Sequence, residues 1–387
     1  MILITYLKEL IIKMENKENI LVRPRLFQLD SIRFFALATI ILSHFGFLKY
    51  SEIGNFYETY LHNPTFGVDF FFLLSGFGLL YTSIDRELEK GIKSYIKFAI
   101  KKIKKIYPLY IFSLFLSIPY NILSGANPKG IFVKFFLNLT LVQSLTGQSR
   151  FSHGINGVCW FLSTLFICYI VAPLLINFIQ KKCSAIHMTL FILLINIFVI
   201  ILISYVFLHL ETKLAIQYEK NGSGLFDDFF YGSPYIRVFY VFQGMLIGKL
   251  FFLCENIEKN LSFIELVLIV FNILYFFLKA SIPLESIQFR LIDVLDVSLV
   301  LFVFALCKGV FSKKLASKSI LYKMGGGYGM YLYLLHYPVE RFIGAFFEKK
   351  ILYGLPASIV SVFLVLLVTI ILSIVLKRLF EKRMAVV

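Results

Sequence analysis

Charge is what this sequence has least of. Only 16% of its 387 residues are Asp, Glu, Lys or Arg, against 59% apolar. An ordinary soluble domain carries about a quarter charged residues. With a mean hydropathy of +0.81, this shortage excludes a soluble domain with a lone anchor. It predicts an all-α polytopic membrane bundle. Acidic residues are scarcer still, 23 against 39 basic ones, for a net charge of +16. In a soluble protein that surplus would raise nucleic-acid binding. No RNA- or DNA-binding motif accompanies it, and Lys and Arg gathering in cytoplasmic loops accounts for it.

Other absences narrow the field. The five cysteines (Cys159, Cys168, Cys183, Cys254 and Cys307) are odd in number, form no CxxC and lie mostly in apolar segments. They read as small unpaired apolar residues, neither a disulfide framework nor a metal site. There is no HExxH, P-loop, GxSxG or nucleotide-binding glycine pattern. No repeat of fixed period and no Pro- or Ser-rich linker separates a second domain. The first residues, MILITYLKELIIKMENKENILVRPRL, carry a short apolar start without a cleavage site. They predict an amphipathic cytoplasmic segment over 1–28, ahead of one membrane domain over 29–380.

What is present is aromatic and apolar: Phe 44, Tyr 22, and ten or eleven long hydrophobic segments. They centre on 31–48, 66–84, 106–124, 131–145, 157–179, 186–208, 234–254, 261–280, 290–308, 326–346 and 354–376. The 131–145 segment is short and holds Lys134 and Asn138, so it predicts a re-entrant piece, since a span needs about 20 residues. The basic stretches before residue 28, over 86–105, at Lys181 and Lys182, over 308–323 and over 377–383 all fall on one side only if 131–145 does not cross. The expectation is about ten spans with both termini cytoplasmic. The loop 209–233, with Glu211, Glu219, Asp227 and Asp228, then falls outside as a substrate or lid element.

The chemistry must rest on polar residues inside those spans, where each is expensive and a functional candidate by default. Leu29 to Phe47 holds Asp30, Arg33 and His44. Arg33 and His44, eleven residues apart, share a helix face about 16 Å apart along the axis. The plain alternative is a snorkelling arginine and a packed imidazole. Asp69 opens the next apolar run, as a helix cap or as a neighbour for His44. Ser75-Gly76-Phe77-Gly78 marks close helix packing. The stretch YIKFAIKKIKKIYP reads as a basic amphipathic helix on the membrane face, and Lys101, Lys102, Lys104 and Lys105 could also hold phosphate. Trp160, the only tryptophan, suits an interfacial anchor. His336 lies in a late span after Tyr331 and Tyr333, one turn before Glu340.

Taken in order, these pieces resemble the acyltransferase-3 family of integral membrane O-acyltransferases. Arg33 with His44 resembles its Arg-x10-His signature, and Gly67-Val68-Asp69-Phe70-Phe71-Phe72 through Ser75-Gly76-Phe77 its second-span motif. Lys102-x-x-Lys105-Ile-Tyr-Pro stands where the family has Arg-x-x-Arg, Trp160-Phe161-Leu162 matches its Trp-x-Leu, and Tyr331-Leu332-Tyr333-Leu334-Leu335-His336 its Tyr-Leu-x-His. Two departures stand out: Leu165 replaces a common glutamate, and lysines replace the arginine pair, keeping charge but losing bidentate phosphate geometry.

The resemblance implies transfer of an acyl group, usually acetyl, from cytoplasmic acyl-CoA to a hydroxyl of a cell-envelope glycan, in the cell membrane and without a metal. His44 would be the base and Asp69 would orient it. Arg33 would hold a phosphate or stabilise the thioester oxyanion. Lys101, Lys102 and Lys105 would hold the CoA anion. Asp30, Trp160, Tyr333 and His336 would bind substrate or serve structure. The rival readings are a glycan transporter or flippase and a pH-sensing membrane protein. The acceptor, the acyl chain, the use of a carrier and the oligomeric state stay open.

Overall fold

The structure is a computed structural model, and it describes residues 23–125, 127–218, 231–254, 262–278, 287–306 and 309–384. Thirteen helices of eight residues or more run through the described residues, without a strand among them. They are α1 (Phe27–Ser43), α2 (Thr65–Tyr81), α3 (Ile92–Ile103), α4 (Tyr107–Leu123), α5 (Pro128–Leu139), α6 (Trp160–Lys182) and α7 (Ile186–Tyr218). Then come α8 (Pro234–Cys254), α9 (Ser262–Leu278), α10 (Ile287–Leu306), α11 (Val310–Ser317), α12 (Gly329–Glu348) and α13 (Gly354–Met384). The chain is an all-helical membrane protein, as its composition requires: only helices satisfy their own backbone in lipid when no barrel is formed.

By length and composition, five helical stretches among the described residues can cross a membrane, or seven if each bent helix pair is one span. The sequence predicts about ten. The difference lies in short or polar helices. Helices α1 and α9 have 17 residues each, about 26 Å of rise, and α12 carries His336, Glu340 and Arg341 within its 20 residues. Helix α5, in the 131–145 segment, has only 12 residues. That is about 18 Å against a hydrocarbon core of about 30 Å. Its irregular continuation is held by side chains: the Tyr110 hydroxyl donates to Asn138 O at 2.9 Å, and Gln143 Nε2 donates to the Tyr110 hydroxyl at 3.0 Å. The Ser144 hydroxyl donates to Trp160 O at 2.9 Å. Irregular backbone is tolerated at membrane depth only with such partners. Of the expected outer loop 209–233, residues 209–218 continue helix α7 and residues 219–230 lie outside the described residues.

At the centre, α2 crosses α8 with almost no side chain between them. A Cβ on Gly76 would fall 1.9 Å from Val241 O, and one on Gly244 would fall 1.8 Å from Leu73 O. Each glycine admits the other helix's backbone, so any larger residue forces the crossing apart. Helix α3 turns 68° from α4. It leaves Ile92, Ile96 and Ile100 exposed in one stripe and buries Ala99 and Ile103. A stripe of bare isoleucines beside lysines is the pattern of a helix lying in a bilayer interface.

Candidate active site

Helix α1 carries the two ends of the site. Near its start, Asp30 is buried and holds two arginines: Arg25 Nε donates to Oδ2 at 2.5 Å, and Arg33 Nη1 to Oδ1 at 2.9 Å. Arg33 is thereby fixed one turn from its carboxylate. It lines a cavity of about 180 Å³ together with Lys102, Ser75, Tyr169 and the glycines 325, 326 and 329. Lys102 alone of the α3 lysines lines this cavity, with Arg86 and Lys101 as cationic neighbours. Lys101, Lys104 and Lys105 are exposed outside it. Leu165, at the position of the missing glutamate, is a further wall residue. No carboxylate stands among the cavity's walls, so its charged groups are cationic.

At the other end, α1 stops at Ser43 and His44 caps it. The His44 Nδ1 lies 2.7 Å from Ile40 O and 3.2 Å from His336 Nε2. A carbonyl only accepts, so Nδ1 carries the proton and shares it between the two. His336 follows the same logic: its Nδ1 lies 3.1 Å from Leu332 O, so it is protonated there and its Nε2 accepts from His44. The tautomers of both rings follow from these carbonyls. In its neutral form His44 keeps a lone pair on Nε2, which has no partner among the described residues. The Tyr337 ring stands edge-on to His44, with centroids 5.3 Å apart. His336 is fully buried, whereas His44 is half-buried.

The helix that presents His336 contains a proline two residues further on. Pro338 lacks an N–H, so the carbonyl of Leu334 loses its helical partner. Asn156 Nδ2 donates to that carbonyl at 3.1 Å. The Tyr333 hydroxyl donates to Val158 O at 2.9 Å. At Gly157 a Cβ would meet the Tyr337 ring at 2.4 Å, so only glycine lets this loop reach α12. Between the Arg33 cavity and the histidines stand two rings. Phe161 lines the cavity and lies 5.4 Å from Tyr333, whose centroid is 6.1 Å from His336.

Two expected relations come out differently. Asp69 is paired with Arg237, Nη1 to Oδ1 at 2.5 Å, both side chains fully enclosed. Arg237 Nε also donates to Tyr231 O at 2.7 Å. The expected relation of Asp69 to His44 thus gives way to an ion pair tying α2 to α8. A buried arginine needs a carboxylate more than a neutral imidazole does. Trp160 is also not an interfacial anchor. It is 5% exposed and packs on Tyr231 at 5.3 Å and Phe72 at 6.2 Å. Those two rings also flank the Arg237 guanidinium, each at 5.0 Å. A tryptophan at the edge of an apolar run commonly sits at the interface; here packing against Tyr231 and Phe72 encloses it.

Arg237 and Asn156 were not singled out in the sequence. Arg237 had a signal: it is a lone arginine near the start of an apolar run, and a charge there calls for an opposite partner. Asp69 was the matching charge. Asn156 had none, because its role follows from Pro338, a long way along the chain.

The chain matches the acyltransferase-3 family profile, described as an acyltransferase domain, over residues 26–378. It is also similar to a protein of Streptomyces mycarofaciens named acyltransferase MdmB, with 29% identity over 166 residues, 41% of this chain and 41% of that protein. The matched stretch is therefore less than half the length of that relative. No solved structure matches. The family match takes in Asp30, Arg33, His44, Asp69, Lys102, Trp160 and His336 and runs almost the whole chain, so this protein belongs to the acyltransferase-3 family.

Proposed function

We propose that this protein is a membrane O-acyltransferase that moves an acyl group, acetyl in the first instance, from acyl-CoA to a hydroxyl of a cell-envelope or exported polysaccharide. One observation carries the reading. Helix α1 carries Arg33, which lines a cavity with Lys102 of α3, at one end and His44, with Nε2 unpartnered, at the other. The basic residues gathered at the Arg33 end favour a cytoplasmic orientation for it, in the cell membrane.

On this reading Arg33 and Lys102 bind the anionic donor, and its thiol-bearing arm lies along the cavity towards Phe161. Arg33 is about 16 Å from His44 along the helix, too far to stabilise an oxyanion where His44 acts. Its role is therefore to anchor the donor. His44 Nε2 takes the proton of the acceptor hydroxyl as that oxygen attacks the thioester carbonyl. The carbon–sulfur bond breaks, the ester forms, and the imidazolium returns the proton to the departing thiolate. His336 Nε2 and Ile40 O hold the Nδ1 proton throughout, which keeps the ring turned and stabilises its transient charge.

The test uses purified protein in nanodiscs with acetyl-CoA and envelope glycan fractions. The expected result is acceptor-dependent release of CoA thiol and a glycan gaining the mass of the acyl group. Proteoliposomes that pass labelled glycan across the bilayer without consuming acyl-CoA would overturn the reading in favour of a transporter.

A further inference from the structure

A second cavity, of about 710 Å³, shares no lining residue with the Arg33 cavity. It is a groove between α1, α2, α9, α10 and α11, with Phe35, Phe66, Phe276 and Phe304 among its apolar walls. Its volume lies within the range of ligand pockets. Its polar contributors are few. Asn272 is already engaged, its Nδ2 donating to Leu268 O at 2.9 Å and to Asp296 Oδ1 at 2.8 Å. That leaves Lys314 and Lys318, which line the groove and are exposed, with no acidic partner among the described residues. They are four residues apart, about one helical turn.

The lysines stand on a fixed base. Glu265 of α9 accepts from the backbone N–H groups of Phe311 at 3.0 Å and Ser312 at 3.1 Å, and from the Ser312 hydroxyl. The Ser31 hydroxyl donates to Leu315 O at 2.8 Å. That last bond places α11 at the same end of the bundle as Asp30 and Arg33. The groove wall on α9 runs from Leu268 to Phe277, about 14 Å. This is close to half of a hydrocarbon core of about 30 Å, the depth of the acyl chains of one leaflet.

We propose that this groove binds one anionic phospholipid from that leaflet, its phosphate at Lys314 and Lys318 and its acyl chains along Phe35, Phe276 and Phe304. Paired cations at the rim of an apolar cleft between membrane helices match a lipid that is negative at one end and apolar along the rest. The site is independent of the acyl-transfer reading, since it shares no lining residue with the Arg33 cavity and neither histidine lines it.

The experiment uses the full chain in phosphatidylcholine nanodiscs with a trace of phosphatidylglycerol carrying a photoreactive group on its acyl chain. Cross-links are mapped by mass spectrometry, and a phosphatidylcholine probe runs in parallel. Cross-links are expected on α1 and α9. Each lysine near a headgroup contributes on the order of 1 kcal/mol, so the K314Q/K318Q double variant is expected to lower phosphatidylglycerol labelling roughly 30-fold. The phosphatidylcholine probe should label both proteins alike and weakly. Equal labelling by the two probes, or a double variant labelled like the parent, would overturn the proposal. So would displacement of the probe by inorganic phosphate as well as by unlabelled phosphatidylglycerol, which would mark a bare anion site. Cross-links of the probe to residues 1–22 in place of α9 would make the chain's own amino terminus the occupant, and would overturn it too.

Discussion

Two polar pairs lie inside the apolar bundle, and they are built differently. Asp69 and Arg237 are both fully enclosed, with Phe72, Tyr231 and Tyr240 rings around the guanidinium at 4.6 to 5.0 Å. His44 and His336 instead meet carbonyls and each other, and only His336 is sealed. In the first pair each charge exists for the other, and the pair fastens α2 to α8. In the second, every proton is committed to a carbonyl or to the neighbouring ring, and one lone pair is left over at the more open member. A membrane bundle holds a charge by closing around it. On the proposed reading, the second pair does chemistry through the one atom left unpartnered.

The contrast can be broken from either side. The largest effect should come from His44→Ala. Loss of a general base costs about 10²- to 10⁴-fold in turnover, while the melting temperature in detergent should hardly move, because the ring is half-buried and little packing is lost. Wild-type acyl transfer in this variant would remove His44 from the chemistry. Asp69→Asn should do the reverse. An arginine left buried without its carboxylate costs about 3–5 kcal/mol, read as a large fall in thermal stability and in yield. A double variant that also replaces Arg237 with Met should regain much of it. A fully stable Asp69→Asn protein with no transfer activity would restore Asp69 to the catalytic group.

His336→Ala sits between these two. A hydrogen bond to a group that becomes charged is worth about 1.5–3 kcal/mol, so turnover should drop about 10- to 100-fold. KM for acyl-CoA should stay the same, and His336→Asn should recover part of the rate. The smallest effects belong to the donor end. Arg33→Ala and Lys102→Ala should each raise KM for acyl-CoA about fivefold, near 1 kcal/mol for a partly screened cation, with kcat little changed. Lys101→Ala and Lys105→Ala, at exposed positions, should change it by less than about twofold. Equal losses at all four would show that the whole basic face, and not the cavity, holds the donor.

The sequence carried the helical class, the course of α1 with Asp30, Arg33 and His44, and the shortness of the helix near 131–145, because each depends on local pattern and length. It also pointed to His336 as a second buried imidazole. What it left unread depends on residues brought together from far apart. Nothing near Asp69 names Arg237 as its partner, although the two lone charges in apolar runs could have been matched. Nothing near Trp160 says that Tyr231 and Phe72 will enclose it. The importance of Asn156 follows only from a carbonyl exposed by Pro338. The span count differs for a related reason: hydropathy marks every apolar segment, whereas α1 and α9 have only 17 residues each and α12 carries His336, Glu340 and Arg341.

Helix α1 has one further consequence. It runs without interruption from Phe27 to Ser43, so the distance between its anchoring arginine and the histidine that caps it is set by backbone hydrogen bonds and does not adjust. On the proposed reading the helix is a ruler. A donor engages both marks only if its phosphates and its thioester are separated by a matching length of chain. Thioesters of a truncated carrier, and acyl phosphates with no arm at all, would meet one mark or the other, never both. The choice of donor would then be made by reach before any contact with the acyl group itself.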